Sequence, residues 1–447
     1  MGMIYLHIGI DDTDSPRKGC TTYIAAILVE KLAKLDARFV DYPTLIRLNP
    51  NVPWKTRGNG ALCLRIRCDE SLVEDIREIV IATVEENSDF DNTGTDPGIV
   101  FFSKKVVPKE IRNSAKKTIQ GVVKLDDALR LIKKFGAEAL GYKSGRGVIG
   151  ALAAVGETLE GDHTYELIAY RLAKNRGTKR LADAASVRRM NEVTAPLTFN
   201  NIDLDEDRVL ITPRGPDPIF FGIRGENPEI VKEAFSMIRA EEPIERWVVF
   251  RTNQGTDAHL RRIHHIGDVH PFHSVIVRGT VVNAPKIVPL RHVIFSIKDD
   301  NAMIDCAAYE PTGNLRKAAK QLIIGDEIEV YGGVRPASET HPMTINLEKI
   351  HVTKMAPKIF LRNPKCPKCS KTMSSMGKNQ GYRCDKCGYK SKELTKIQTT
   401  EKRVLEKRLY ITSPHSQRHL TKPFCRYGQE KALDRSHFQI IREWHYP

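Results

Sequence analysis

The run Met3-Ile4-Tyr5-Leu6-His7-Ile8-Gly9-Ile10-Asp11-Asp12-Thr13-Asp14-Ser15 decides the reading of the N-terminal part of the chain. Residues 3–10 alternate toward a buried strand, and residues 11–20 form a short polar loop containing three acids and glycine. Residues 21–35 then place Ile24, Ile27, Leu28 and Leu32 at the spacing of an amphipathic helix. The local plan is strand, acidic loop, helix. Carboxylates crowded at a strand end repel one another unless a cation neutralises them, and hard Mg²⁺ carried with a bound triphosphate meets that need. Asp11, Asp12 and Asp14 are therefore candidate ligands. The hydroxyls of Thr13, Ser15, Thr21 and Thr22 stand where a helix start can bind a phosphate or receive one. The same residues also suit an Asx-rich turn with a helix cap, so composition alone leaves both readings open.

Working outward, Arg57-Gly58-Asn59-Gly60 precedes an alternating strand over 61–67 and a helical pattern over 71–86, which makes the first domain mixed α/β. Residues 125–140 read as a helix and the glycine-rich 141–150 as a flexible joint, with Lys143 and Arg146 able to approach phosphate. Gly145-Arg146-Gly147-Val148-Ile149-Gly150 matches a dinucleotide fingerprint literally, but the helical pattern before it argues against a Rossmann unit. A helix over 165–190, interrupted near Gly177, strands over 208–212, 219–223 and 247–250, and a helix over 228–239 predict a second α/β domain. After Phe272 come short β runs over 273–281, 293–298, 304–309, 327–334 and 343–352, with a helix over 315–321 after the third. That order suggests an OB-type barrel, either nucleic-acid-binding or purely architectural. The irregularly spaced His264, His265, His270 and His273 fit surface or RNA contact better than a metal site.

The length of 447 residues predicts several domains rather than one core. No apolar run reaches the roughly 18 residues of a membrane span, and the start lacks a secretory pattern, so an intracellular, cytoplasmic protein without membrane contact is expected. The net charge of +15 favours a polyanionic partner. Its distribution is uneven. Residues 355–447 hold 21 Lys plus Arg against 7 Asp plus Glu, a net of +14, which leaves +1 for the preceding 354. The nine cysteines divide similarly: Cys366 and Cys369, then fourteen residues, then Cys384 and Cys387 make the two-knuckle spacing of a structural zinc ribbon. Four thiolates close a tetrahedron on Zn²⁺ with no open position, so this site folds the chain and does not catalyse. Beyond it, a basic helix is expected over 401–410, and Arg418, His419 and Lys422 lie among aromatic residues suited to RNA phosphate and bases.

The runs Ile8-Gly9-Ile10-Asp11-Asp12-Thr13-Asp14-Ser15, Gly19-Cys20-Thr21-Thr22, Arg57-Gly58-Asn59-Gly60, Phe250-Arg251-Thr252-Asn253-Gln254-Gly255-Thr256-Asp257-Ala258-His259 and His419-Leu420-Thr421 together resemble the archaeal tRNA(isoleucine) 2-agmatinylcytidine synthetases, over essentially the whole chain. The resemblance implies a multidomain α+β architecture. Its parts would be a kinase-like ATP- and cytidine-activating domain over 1–140, a ferredoxin-like domain over 141–262, an OB-fold domain over 263–355, a zinc ribbon over 356–393 and a basic tail over 394–447. It implies an ATP-dependent ligase that joins agmatine to carbon 2 of the wobble cytidine in the CAU anticodon of isoleucine tRNA, changing decoding from AUG to AUA, with no obligate protein partner. By the same resemblance Asp11, Asp12 and Asp14 would handle Mg²⁺–ATP and Thr21 would accept a phosphoryl group. Arg57, Gly58, Asn59 and Gly60 would join Thr13, Ser15 and Thr22 around the nucleotide. Asn253, Gln254, Thr256, Asp257, His259, Arg418, His419 and Lys422 would bind substrate, with Asp257 a candidate for the agmatine guanidinium. Without the resemblance, the barrel, ribbon and basic tail fit an RNA-binding protein that catalyses nothing. On the charge distribution, deletion of residues 355–447 is expected to weaken tRNA binding while sparing ATP binding.

Overall fold

The structure, a computed structural model, describes every residue except Met1, Lys18, Arg435 and His437. Strand β1 (Met3–Asp11) is followed by helix α1 (Thr21–Ala33), strands β2 (Thr44–Arg47) and β3 (Gly60–Asp69), helix α2 (Val73–Asn87) and strand β4 (Gly98–Phe102). Helices α3 (Lys109–Gln120) and α4 (Leu125–Phe135), the short edge strand β5 (Glu138–Gly141) and helix α5 (Gly147–Gly156) complete the first unit. Alternation along β1 sends Leu6, Ile8 and Ile10 into the core shared with α1 and α2. The opposite face carries α5, with α3 and α4 packed against it.

Helix α5 lies unusually close to the sheet, and its small residues make this possible. A Cβ on Gly9 would come within 2.1 Å of the Ala151 carbonyl oxygen, and one on Gly98 within 2.1 Å of the Gly147 carbonyl carbon. The glycine-rich segment 141–150 is therefore not a flexible joint. It contributes the start of a buried helix, and the expected helix over 125–140 ends at Phe135 with residues 138–141 paired to β4.

The second unit runs β6 (Thr164–Arg171), α6 (Ala184–Thr194), β7 (Thr198–Phe199), β8 (Ile219–Gly225), α7 (Pro228–Met237) and β9 (Ile244–Thr252). Its strand order is β9-β6-β8-β7, all antiparallel, the split βαβ arrangement of a ferredoxin-like fold. The expected helix over 165–190 is instead β6 followed, after a loop, by α6. Because every residue of β6 is buried, its sequence lacks the alternation that marks a half-exposed strand. Strand β9 pairs in parallel with β2, Arg251 opposite Thr44, so both units share one eleven-stranded sheet.

Strands β10 (Ser274–Val281), β11 (Val293–Lys298) and β12 (Met303–Ala308), helix α8 (Asn314–Ala319), and strands β13 (Glu327–Arg335) and β14 (Thr344–Lys354) form the third unit. The order β10-β13-β14-β12-β11 closes where Thr280 of β10 meets Lys298 of β11, giving a five-stranded barrel with the OB connectivity. A two-stranded ribbon, β15 (Lys358–Arg362) with β16 (Ile397–Glu401), carries the cysteine knuckles.

The C-terminal segment corrects two expectations. Residues 401–410 form no helix: they pass from β16 through a loop into β17 (Leu409–Ile411), which pairs with β14, while Leu405 and Tyr410 enter the barrel core. The chain then returns across all three units to β18 (His445–Tyr446) on β9, where Trp444 sits 5.1 Å from Phe39 and 6.0 Å from Tyr42 between ring centroids. It is a structural strap. Deletion of residues 355–447 would strip core side chains from the first sheet and the barrel, so it cannot isolate RNA binding from ATP binding.

Candidate active site

The acid loop leaves β1 at its C-terminal end. Asp12 adopts a left-handed φ of 55°, a conformation that asparagine and aspartate tolerate better than most side-chain-bearing residues. Asp14 accepts from the Thr21 backbone N–H at 2.6 Å and from the Thr21 hydroxyl at 2.9 Å, so its carboxylate both caps α1 and holds the hydroxyl. The Thr13 and Thr21 hydroxyl oxygens are 3.0 Å apart. Asp11 is buried beneath α5, where a Cβ on Gly150 would come within 1.7 Å of its Oδ2. Burial, reinforced by the charges of Asp12 and Asp14, pushes the Asp11 carboxyl well above the usual carboxylate range. Burial also pushes Asp12 up to about 6, against the opposing pull of Arg146, whose Nε and Nη2 donate to Asp12 Oδ2 at 3.0 and 2.6 Å.

These acids line a pocket whose walls also include Thr21, Asn49, Lys55, Asn59, Gly60, Arg146 and Gly150, with Trp54 and Val52 supplying apolar surface. Its mixed lining, with cations and carboxylates beside an indole ring, suits a nucleotide. Thr13, Ser15, Thr22, Arg57 and Gly58 stand behind or beside the pocket wall. Ser15 donates to Asp89 at 2.7 Å, Thr22 contacts the Cys20 sulfur at 3.1 Å, and Arg57 donates to the Ser15 and Gly19 carbonyls at 3.1 and 2.5 Å. Arg57 thereby staples the ends of the acid loop and also lies 3.8 Å from Asp14 and 3.5 Å from Asp217.

On the other side of the Arg57–Gly60 loop is a second cavity of about 280 Å³, lined by Arg47, Glu166, Phe199, Asn200, Arg224 and His419 among others. His419 lies against Gly58, and its Nδ1 is 3.0 Å from both Arg224 Nη2 and Gln254 Oε1. Burial and the charges of Arg47 and Arg224 hold this imidazole far below its ordinary pKa, hence neutral. Glu166 accepts from Arg224 at 3.1 Å and from Gln254. Of the expected substrate residues, His419 lines this cavity, and the buried Gln254 stands behind it on Glu166 and His419.

The rest take structural partners. Asn253 exchanges hydrogen bonds with the Arg47 backbone, and the Thr256 hydroxyl closes its own turn on the Asn253 carbonyl. His259 pairs with Glu348 at 3.0 Å, and Arg418 lies on Asn51 and Glu348. Lys422 pairs with Glu430 at 2.7 Å and Asp162 at 3.4 Å. Asp257 is committed to the buried Lys349 ammonium at 2.5 Å and the Lys422 backbone N–H at 2.7 Å, which leaves it poorly placed for agmatine. Arg47, Lys55, Glu166 and Arg224 line the two cavities and were passed over by sequence reasoning; a charged residue inside a buried strand, such as Glu166 in Thr164-Tyr165-Glu166-Leu167, was the available signal.

The four cysteine sulfurs of the ribbon converge within 4.8 Å of one another. A tetrahedral ion with Zn–S bonds of about 2.3 Å needs sulfurs about 3.8 Å apart, and Cys366–Cys387, Cys369–Cys384 and Cys369–Cys387 stand at 3.5, 3.4 and 3.6 Å. This donor set fits Zn²⁺. Among the described residues no helix is long and apolar enough to cross a membrane.

Residues 7–144 match the family described as the TiaS TCKD domain, 145–259 the TiaS FLD domain and 363–405 the TiaS C-terminal zinc ribbon domain. The tRNA(isoleucine-2) 2-agmatinylcytidine synthetase TiaS of Methanocaldococcus jannaschii is 44% identical over 428 residues, covering 94% of this chain and 98% of that protein. The same enzyme of Thermococcus sibiricus is 42% identical over 433 residues, covering 97% and 99%. Among solved structures, a complex of TiaS with the isoleucine-2 tRNA and ATP superposes with a TM-score of 0.86 at 38% identity, and a complex of TiaS with the same tRNA, AMPCPP and agmatine with 0.83 at 36%, each covering 95% of this chain and 97% of that one. With three domain matches in order and identity above 40% along nearly the full length, the chain belongs to the TiaS family of tRNA(isoleucine-2) 2-agmatinylcytidine synthetases.

Proposed function

We infer that this chain is an ATP-dependent ligase that conjugates agmatine to carbon 2 of the wobble cytidine in the CAU anticodon of isoleucine tRNA. The observation that carries the reading is the acid pocket itself: Asp11, Asp12 and Asp14 beside the Thr21 hydroxyl, on the chain whose relatives bear that activity in their names. The triphosphate of ATP takes the pocket, with Lys55 and Arg146 as the cations that meet its oxygens. Asp11, Asp12 and Asp14 hold Mg²⁺, which when bound neutralises phosphate charge. Asp14 holds the Thr21 hydroxyl and is placed to take its proton if that oxygen receives a phosphoryl group.

The carbonyl oxygen at carbon 2 of cytosine is a poor leaving group. Transfer of a phosphoryl group from ATP to that oxygen forms a P–O bond and breaks one in the triphosphate; the agmatine amine then forms the C–N bond at carbon 2 as phosphate departs and the amine loses a proton. The second cavity is the place for the tRNA-side substrates. Phe199 supplies a ring at its wall, Arg47 and Arg224 supply donors, and Glu166 is a lining carboxylate that a guanidinium would reach by sharing it with Arg224. The neutral His419 and Gln254 position these groups. The exposed lysines and arginines of the zinc ribbon and the barrel face receive the tRNA backbone, and the enzyme works in the cytoplasm, where its tRNA is. The test uses purified protein, the CAU-anticodon transcript, ATP, Mg²⁺ and labelled agmatine. Label on the tRNA that disappears in a folded Asp12→Ala variant is expected; label unchanged in that variant would remove the acid loop from the chemistry.

A further inference from the structure

Arg146 faces two competing demands. Its guanidinium places Nε and Nη2 on the same oxygen of Asp12, and Nη2 also donates to the Gly94 carbonyl at 2.8 Å. The backbone beneath it is fixed. Gly145 N–H donates to Asp96 Oδ1 at 3.1 Å, Gly147 N–H to the Asp96 carbonyl at 3.1 Å, and Asp96 N–H to the Asp12 carbonyl at 3.2 Å. Only the side chain is free to change partner, and its 29% exposure is on the pocket side. Both bonds from Arg146 to Asp12 fall on Oδ2, so a divalent ion ligated by Asp12, through either oxygen, would stand on the same carboxylate as the guanidinium, where two cations repel one another.

We propose that Arg146 is an exchanging cation: it holds Asp12 while the pocket is empty, and it turns to the phosphate oxygens when a divalent ion arriving with ATP takes the carboxylate. This rests on the ATP and Mg²⁺ reading of the pocket. A planar guanidinium suits either partner, carboxylate or phosphate, which a lysine does less well. The exchange makes opposite predictions for metal alone and for nucleotide.

In the full-length protein, Mn²⁺ binding without nucleotide is measured by electron paramagnetic resonance, and binding of a non-hydrolysable ATP analogue with Mn²⁺ by calorimetry. Arg146→Gln is expected to bind bare Mn²⁺ about fivefold tighter, because the competing ion pair is gone, and the analogue about tenfold more weakly. Arg146→Lys keeps the charge and is expected to leave Mn²⁺ affinity within about twofold of wild type. A Gln variant whose Mn²⁺ affinity is unchanged or weaker, or whose analogue affinity is unchanged, overturns the exchange. In wild type, independently of any variant, the Arg146 Nε–H resonance is expected to move when metal and analogue are added together; a resonance that stays in place also overturns it. The parent reading fails separately: Asp12→Asn that binds Mn²⁺ as wild type does shows that the carboxylate is no metal ligand.

Discussion

Replacing Arg426 by methionine tests whether the C-terminal strap is held by charge. All five N–H donors of this wholly buried guanidinium are used: Nε on Glu226 at 2.5 Å, Nη1 on Asp162 at 3.1 Å and on the Gly255 carbonyl at 2.6 Å, Nη2 on Asp162 at 2.9 Å and Glu226 at 3.3 Å. Removing one partner of a buried pair costs about 3–5 kcal/mol, because the other charge is left desolvated. Here Lys422 and Lys431 stay beside Asp162 and Glu226 at 3.4 and 2.7 Å, so the lower end, about 3 kcal/mol, applies. Three folding units make a single global transition a poor measure, so the assay is hydrogen exchange of the strap and of β9, which the strap covers. Arg426→Met is expected to speed exchange there by roughly two orders of magnitude, each 1.4 kcal/mol being tenfold. Adding Asp162→Asn and Glu226→Gln removes the stranded charges and should restore most of the protection. Protection in Arg426→Met within about threefold of wild type would refute the reasoning, because the network would then be ornamental.

Chelation should remove one Zn²⁺ per chain and unfold the knuckles between β15 and β16 while leaving ATP-analogue affinity unchanged; a lost ATP site would mean that the ribbon supports the first unit. Asp257→Asn should leave the agmatine KM within about twofold yet cost about 2 kcal/mol of stability, since Lys349 loses its charged partner; a large KM rise would return Asp257 to the binding site. Burial lowers His163 to about 4. Its folded pKa is below the unfolded value of about 6.5, so the contribution is full above pH 6.5 and is lost as pH falls toward about 4, on the order of 3 kcal/mol across the window. His419 shifts in the same direction. Glu348 is depressed too, held down by His259 and Arg418 against its burial, and its contribution fades only below its ordinary 4.5. Hydrogen exchange of β6, corrected for its intrinsic pH dependence and followed from pH 7.5 to 5, should therefore show falling protection, and a smaller fall in His163→Gln; an identical slope would place the titration elsewhere.

What the sequence showed and what it concealed divide by range. The zinc knuckles and the acid loop were legible because their chemistry lies within a few residues, and the barrel strands because one face meets core and the other solvent. Strand β6 was hidden by success at burial: with both faces covered, Leu167-Ile168-Ala169-Tyr170 carries no period. Helix α5 was hidden by Gly147 and Gly150, which cost helix propensity and are kept for contact with Pro97 and Asp11. The second cavity was the hardest to foresee. Arg47, Glu166, Arg224 and His419 come from β2, β6, β8 and the strap, and only the pairing of β9 with both β2 and β6 brings them together.

The charge distribution acquires a different meaning once the strap is traced. The +14 of residues 355–447 looked like a single RNA-binding surface. Arg403, Arg418, Lys422, Arg426 and Lys431 instead meet Asp326, Glu348, Asp162 and Glu226 of the body. These cations are partly or wholly buried and already paired, so they are expected to contribute little to the salt dependence of tRNA binding. The charge left for RNA belongs mainly to the ribbon, where Lys365, Lys368, Lys371, Lys378, Lys386 and Lys390 are exposed. The body's near-neutral balance has the same origin: part of its acid content exists to hold the strap, and the strap in turn places His419 against Gly58, between the two cavities.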